Sequence, residues 1–385
     1  MRPRPHADDC PASVKLELVL RLLGGASLAS LSRETGRPRK QLSTWRRRFL
    51  EGGQARLEGR ADAPGLDALR SAHEELTARV AALETENRML VRRASLAGVA
   101  RSGVEPHPYG SDIYAHASEE PGVQPLWVGE WGTYVLVRER DGGVRRATGM
   151  RPLTALDPGG DLSAGLDTLR RAGISSISLV TDPMWSPEPS VLEGAFAACR
   201  PFRTFYVVDR EAEIHFHKRH RNRLNQALRV CTAAELALTE QLPRWHELYA
   251  QNVAAREIGQ PFSPAYFERI AALPSLRTIA VLVDDEIVTM TLWLRHHDTL
   301  YFHEGASSFK GYESSAGYVA FARAIEHAGA CRYLLLGGSG GAHDDRLDGL
   351  AMFRRGFSNA SALSYVCSAI LHRDARPRAR ARTLR

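Results

Sequence analysis

The stretch Thr278-Ile-Ala-Val-Leu-Val-Asp-Asp-Glu-Ile-Val-Thr-Met-Thr-Leu-Trp-Leu294 decides the fold. Two apolar runs flank Asp284-Asp285-Glu286, a pattern that predicts two antiparallel strands joined by a tight acidic turn. Reading outward, a polar break at His296-His297 precedes a third strand, Asp298-Thr-Leu-Tyr-Phe-His-Glu-Gly305. A helix follows, with Tyr318, Val319, Phe321, Ala322, Ile325 and Ala328 on its apolar face and Gly329 closing it. Arg332-Tyr-Leu-Leu-Leu-Gly337 then reads as a buried strand running into the loop Gly337-Gly-Ser-Gly-Gly-Ala342. The segment ends in Gly349-Leu-Ala-Met-Phe-Arg-Arg-Gly-Phe357.

This order of elements resembles the second half of the Fem family of aminoacyl transferases, within the Gcn5-related acyltransferase superfamily. Upstream, Trp127–Val137 and Val144–Met150 read as strands about the turn Asp141-Gly142-Gly143. Leu162–Ala172 reads as a helix and Ile174–Thr181 as a strand, an arrangement similar to the first, degenerate repeat of that family. The resemblance covers roughly residues 107–372 and implies tandem acyltransferase-like repeats on a mixed α/β sheet. It further implies acylation of an amine, with aminoacyl-tRNA or acyl-coenzyme A as co-substrate and no covalently held cofactor.

Such a reaction needs a base for the amine, donors for the carbonyl oxygen as it becomes negative, and an anchor for the acyl donor. Glu304 and His303 are the candidate bases on the third strand, and strict alternation puts only one of them in the pocket. Asp345, with Asp344 and His343, follows the glycine loop as a further candidate. Gly337, Gly338, Ser339, Gly340, Gly341, Phe353 and Arg354 are the expected donor-binding residues. The related family has lysine where Arg354 stands, so a compact charge becomes a planar fork. Lys218 and Arg221 belong to the basic run 218–229, read either as a phosphate or tRNA contact or as a solvated helix packing through Leu224 and Leu228. The segment Lys310-Gly-Tyr-Glu-Ser-Ser-Ala-Gly317 does not fit the superfamily's coenzyme-binding loop, which favours aminoacyl-tRNA as donor. No metal site is expected, since His215, His217 and His220 lack Cys or carboxylate partners at ligand spacing.

The net charge of +7 is uneven: residues 1–97 carry +6 and residues 373–385 carry +5, which leaves −4 for the body between them. Basic ends point to a nucleic-acid-binding module beside the transferase-like body. In the leader, Val14–Leu23, Leu28–Thr35 and Arg39–Glu51 read as three helices. Ser27 caps the second, and Gly36-Arg37-Pro38 turns the chain into the third. Leu42, Trp45 and Phe49 share one face of the third helix. The DNA-binding candidates are Arg37, Arg39, Lys40, Ser43, Thr44, Arg46, Arg47 and Arg48. Residues 12–95 resemble the small helix-turn-helix protein of insertion-sequence transposases. Leu69, Leu76, Leu83 and Leu90 recur every seven residues, with Leu66, His73, Val80 and Asn87 at the other seam position, so a dimeric coiled coil is expected.

The expected organisation is a helix-turn-helix domain at 12–60, a leucine-zipper-like coiled coil at 66–95 and a linker leading into the next domain at 98–124. The first and second acyltransferase-like repeats follow at 125–209 and 210–372, then a basic disordered tail at 373–385. No apolar run is long enough to span a membrane, and five scattered cysteines fit a reduced, cytoplasmic protein. Three readings remain open here. They are a Fem-like acyl or aminoacyl transferase with a DNA-binding, dimerising leader, an acetyl-coenzyme A-dependent N-acetyltransferase, and an inactive transferase-like body serving as a DNA-binding regulator or transposase-fusion relic.

Overall fold

The computed structural model describes residues 10–57, 72–73, 75–77, 79–80, 106–140, 143–214, 216–256, 261–338 and 349–372. The chain divides into two compact units, residues 1–78 and 79–385.

The first unit contains α1 (Ala12–Leu23), α2 (Leu28–Thr35) and α3 (Arg39–Leu57). The Ser27 hydroxyl accepts the Ser30 amide at 3.0 Å and caps α2. Gly36 closes α2 with φ of +69°, a conformation that glycine adopts without steric cost. Leu18, Val19, Leu22, Leu31, Leu42 and Trp45 form the core. Phe49, expected in that core, is 39% exposed. With only three short helices to pack, burial ends at Trp45, while α3 runs on past Glu51 to Leu57. Most of the expected coiled coil, 66–95, lies outside the described residues. Those described within it are helical, with Leu76 and Val80 exposed.

The second unit is built on one eleven-stranded mixed sheet. Its first half holds α4 (Asp112–Ala117), β1 (Val123–Val128), β2 (Thr133–Arg140), β3 (Val144–Gly149), α5 (Leu162–Arg171), β4 (Ile174–Val180), α6 (Pro189–Ala195) and β5 (Ala198–Asp209). The second half begins with α7 (Lys218–Ala227), β6 (Thr232–Leu236), α8 (Leu238–Arg256), α9 (Pro264–Ile270), β7 (Leu276–Val283), β8 (Glu286–His296) and β9 (Thr299–Ser307). It continues through α10 (Phe309–Glu313), α11 (Ala316–Glu326), β10 (Tyr333–Gly338), α12 (Gly349–Arg355) and β11 (Ala360–Ile370).

The strand order is β1-β2-β3-β4-β11-β5-β10-β9-β8-β7-β6. Each half is an antiparallel meander followed by one parallel crossover, β3 to β4 and β9 to β10. The two closing strands are exchanged: β5 pairs with β10 of the second half, and β11 pairs with β4 of the first. β5 and β11 then pair with each other at the centre. The acidic turn between β7 and β8 is a two-residue loop with Asp284 and Asp285 at φ of +52° and +61°, the conformation that a tight right-twisted hairpin needs.

Three sequence expectations shift. The strand read from Trp127 to Val137 is two strands, broken by a short 3₁₀ turn at Gly129–Trp131 with Gly132 at φ of +62°. Strand β11 was not anticipated. Its small residues Ala360, Ser361, Ala362, Ser364, Cys367, Ser368 and Ala369 dilute Tyr365, Val366 and Ile370 and weaken the strand signature. Leu228 is 55% exposed, so α7 packs through His220, Leu224 and Ala227 instead.

One apolar core on the face of α4, α8 and α9 spans both halves. On the opposite face α11 covers the second half and α5 and α6 cover the first.

Candidate active site

The parallel ladder between β9 and β10 stops after Tyr301–Leu335, although both strands continue. Beyond that point the strands part and leave a cavity of about 640 Å³. It is lined from both sides of the sheet, by Tyr109, Leu153 and Asn252 on one and Tyr318, Phe321 and Phe353 on the other. Glu304, His303, Gly337, Gly338, Phe353 and Arg354 all line it, so the structure brings these six predicted residues together. Ser339, Gly340, Gly341 and Asp345 lie outside the described residues.

Alternation predicts that either His303 or Glu304 faces the cavity, yet both do. Leu292 pairs with Glu304 and Trp293 with Phe302, which makes His303 the extra residue of a β-bulge. The bulge resets the side-chain alternation and turns two successive residues to one side.

The bulged His303 is enclosed by tyrosines that sequence reading did not single out. Tyr114 donates its hydroxyl to the Arg151 carbonyl at 2.5 Å, and Tyr266 donates to the Tyr114 oxygen at 2.9 Å. The Tyr266 oxygen, 2.8 Å from His303 Nε2, therefore accepts that N–H. Nδ1 of the neutral ring is left to accept from Tyr109 Oη at 3.4 Å. Burial pushes His303 down to about 3 and pushes the Tyr109, Tyr114 and Tyr266 hydroxyls well up, with the Glu304 charge adding to the rise. His303 is thus a neutral member of a hydrogen-bonded network, with both nitrogens engaged. Glu304 is half-buried in the same cavity and supplies its carboxylate.

Around these groups the walls are tied down by polar contacts. Asn252 of α8 accepts the Tyr312 hydroxyl at 2.9 Å and donates to the Gly305 carbonyl at 3.4 Å. His107 Nε2 stands 3.2 Å from Asp182 Oδ2, both buried, where the segment before Tyr109 meets the loop after β4. On the far wall Arg354 donates to the Gly338 carbonyl at 2.6 Å, and its guanidinium lies 5.8 Å from the Phe302 ring centre. Gly337 holds φ of +109°, and a Cβ there would meet that guanidinium at 2.6 Å. The positive φ is what favours glycine here, since the contact is with the end of a flexible side chain.

Lys218 and Arg221 are exposed on α7 and do not line the cavity. They are joined to it indirectly, since His220 Nε2 donates to the Phe353 carbonyl at 2.9 Å and its ring packs against Gly356. Helix α11 starts at the cavity, where Ser315 and Gly317 are lining residues. Ser315 sits at φ of +59°, and no side chain caps the helix. An uncapped helix start suits an anion, although the local sequence lacks the expected loop pattern and the Tyr318 amide already donates to the Ser315 carbonyl at 3.0 Å.

In the first unit, Arg39, Lys40, Arg47 and Arg48 are exposed on α3, while Arg37, Ser43, Thr44 and Arg46 are half-buried. Spacings of three and four residues set 39, 40, 43, 44 and 47 on the side away from Leu42 and Trp45. Arg37 and Lys15 flank the Trp45 ring at 5.4 and 5.6 Å. Among the described residues no group of three His, Cys, Asp or Glu side chains is placed to hold a metal, and no helix is long and apolar enough to cross a membrane.

Comparison with known proteins places these features. Residues 217–342 match the acetyltransferase (GNAT) domain model and residues 14–65 a helix-turn-helix domain model. No curated protein matches the chain. Among solved structures it is similar to FemX, at 13% identity and a TM-score of 0.47, over 71% of this chain and 95% of that one. It is also similar to L-PGS from Bacillus licheniformis, at 12% identity and a TM-score of 0.46, over 72% of this chain and 96% of that one. The chain carries an N-terminal helix-turn-helix domain followed, on the large mixed sheet, by an acetyltransferase (GNAT) domain.

Proposed function

We propose that the second unit transfers an acyl or aminoacyl group from a phosphate-bearing donor to an amine, and that the leader binds duplex DNA. The observation that carries the transferase reading is the cavity at the parted strands, where a half-buried carboxylate, a guanidinium and an uncapped helix start converge. In this reading Glu304 takes a proton from the ammonium form of the acceptor, directly or through one water. The free amine attacks the donor carbonyl, whose oxygen becomes negative and is met by amides released from the β9–β10 ladder. The tetrahedral intermediate collapses to the amide, and the leaving thiolate or alkoxide takes up a proton. His303 holds the shape of the bulge that turns Glu304 inward.

Two donors fit this chemistry. Arg354 beside Gly337 and Gly338 supports a phosphate of an aminoacyl-tRNA, and the uncapped start of α11 supports the pyrophosphate of an acyl-coenzyme A. Titrating the full chain with charged tRNA and, separately, with acetyl-coenzyme A, in wild type and Arg354→Ala, tests the choice. Loss of tRNA binding in the variant supports the first donor. Tight coenzyme binding that ignores Arg354, with no tRNA binding, supports the second. A chain that binds neither but retains DNA is a regulator and not a transferase.

For the leader, phosphate contacts along α3 imply a steep loss of DNA affinity between about 50 and 200 mM salt. Replacing Arg46, Arg47 and Arg48 by Ala flattens that slope. Equal binding by wild type and variant at every salt concentration removes α3 from the interface. We further propose that residues 66–95 dimerise the protein. Leu76→Lys with Leu83→Lys in the full chain then lowers the sedimenting mass to that of a monomer.

A further inference from the structure

Arg203 of β5 lines the cavity at the parted strands, and the steps derived above make no use of it. The residue is half-buried, and its Nε is buried with no hydrogen-bond partner among the described residues. No carboxylate among them pairs with it either, and the Phe202 ring, centred 4.9 Å from the guanidinium, lies against it. A buried donor without an acceptor is a cost that the folded chain bears until a ligand supplies one.

Strand register decides which way this arginine points. The pairs Arg203–Ser364, Thr204–Leu363 and Phe205–Ala362 run without a break, so Arg203 shares a face with Phe205. Phe205 belongs to the core on the face of α4, α8 and α9. One residue earlier the ladder slips, since Tyr365 pairs with Pro201, and Phe202 is the extra residue of a β-bulge. Phe202 therefore lines the same cavity as its neighbour. The Ser364 hydroxyl donates to the Arg203 carbonyl at 3.2 Å and fixes the backbone beside the bulge. Glu304 lies on this face too, because it stands directly opposite Leu292, a member of the same core. Arg354 does not: its guanidinium lies by Phe302, which packs with the core under α11. Among the described lining residues each face thus carries one cation, and the single carboxylate, Glu304, shares the face of Arg203. Strand β10 separates β5 from β9, so the two backbones stand at least two strand spacings apart, about 10 Å.

We propose that Arg203 binds a carboxylate carried by the acceptor, so that the acceptor is an amine and a carboxylate in one small molecule. This rests on the transferase reading, in which Glu304 receives the amine. The Nε edge of a guanidinium donates two parallel hydrogen bonds, which the two oxygens of a carboxylate match. A carboxylate also balances the charge. The other described lining residues of the first half are Tyr109, Pro152, Leu153, Val180, Phe202 and Phe205, and none is a second cation for a phosphate's second charge. An α-amino acid holds both groups on one carbon, too close together for sites on strands that flank β10. The fit is to a longer amino carboxylate, either an ω-amino acid or a short peptide.

The test is a saturation-transfer NMR titration of the full chain with 6-aminohexanoate and with hexylamine. Wild type binds 6-aminohexanoate about tenfold or more tighter, as a charge-assisted pair predicts. Arg203→Gln loses that advantage and binds hexylamine at least as well as wild type, because a cation has gone from the site. Arg203→Lys keeps part of the advantage. No binding of either probe by wild type, equal binding of the two, or an advantage that survives Arg203→Gln overturns the proposal. A third probe, 6-aminohexyl phosphate, checks the anion: tighter binding than 6-aminohexanoate overturns the carboxylate assignment. Triglycine checks the spacer, since an Arg203-dependent preference for it assigns the acceptor to peptides and the reverse preference assigns it to ω-amino acids. In a turnover assay Arg203→Gln raises KM for the amino carboxylate and not for the donor. Turnover with an unchanged acceptor KM overturns the role of Arg203 while the transferase reading stands. Arg203-dependent binding without transfer from either donor overturns the transferase reading while the carboxylate site stands.

Discussion

The two halves of the sheet share one plan and end their parallel ladders differently. In the first half β3 and β4 pair from Arg145–Ile174 to Thr148–Ser178, and the chain closes again through a bridge at Thr154–Thr181. Gly149 allows this closure, since a Cβ there would meet Thr154 Oγ1 at 2.0 Å and Leu179 Cβ at 2.5 Å. In the second half β9 and β10 part after Tyr301–Leu335, with a bulge at His303, a left-handed Gly337 and an arginine in the gap. One half is zipped shut and the other is held open. The difference shows that a cavity through a sheet is built by interrupting the ladder and bracing the edges, while the surrounding strand order stays the same.

The largest expected effect comes from emptying the open half of its carboxylate. Glu304→Gln lowers kcat by about a hundredfold or more and leaves the melting temperature near wild type. Turnover within a few-fold of wild type would return the two halves to equivalence.

The same small substitution made in each half sharpens the contrast. Gly149→Ala forces Thr154 and Leu179 apart and costs about 1–3 kcal/mol, read as a lower urea midpoint. Gly337→Ala meets the end of a flexible arginine as well as an unfavourable φ. Its principal expected effect is a raised KM for the donor, as the Arg354 guanidinium is displaced.

Acid should separate the halves next. The folded-state pKa of His303 lies near 3, below its ordinary 6.5, so the unfolded chain binds the proton that the folded chain refuses. Stability falls as pH drops from 6.5 toward 3, and His303→Gln shows a shallower fall over that window than wild type. Parallel curves for the two proteins would mean that the tyrosine network does not exclude the imidazolium. The smallest effect is expected of Arg354→Lys, which keeps the charge, loses the fork to the Gly338 carbonyl and changes donor KM by a few-fold.

Much of this was legible in the chain. The β7–β8 hairpin, β9, α11 and β10 announce themselves by apolar runs set off by turn residues, and Ser27 and Gly36 mark the leader's helices by their local chemistry. The convergence of Glu304, Gly337, Phe353 and Arg354 followed from element order. What stayed hidden depended on distance along the chain or on a one-residue irregularity. Tyr109, Tyr114 and Tyr266 are widely separated in sequence and meet only around His303. The bulge itself has no sequence mark, since Phe302-His303-Glu304 reads as ordinary alternation. Tyr109 and Tyr114 lie in a stretch whose Gly, Pro and Ser content suggested a linker, yet both are buried.

The exchange of β5 and β11 has a consequence for how the protein is made. β11 leaves the ribosome only after the rest of the second half that precedes it, and β4 cannot gain its inner neighbour until then. The first half must therefore wait with an open edge while the whole second half is synthesised, and its final pairing joins residues nearly two hundred positions apart. Such a body closes late and in one concerted step, and it is exposed to chaperones and to edge-to-edge association beforehand. The helical leader, whose contacts are local and whose compact unit is its own, can fold long before, while the sheet that follows it is still unfinished.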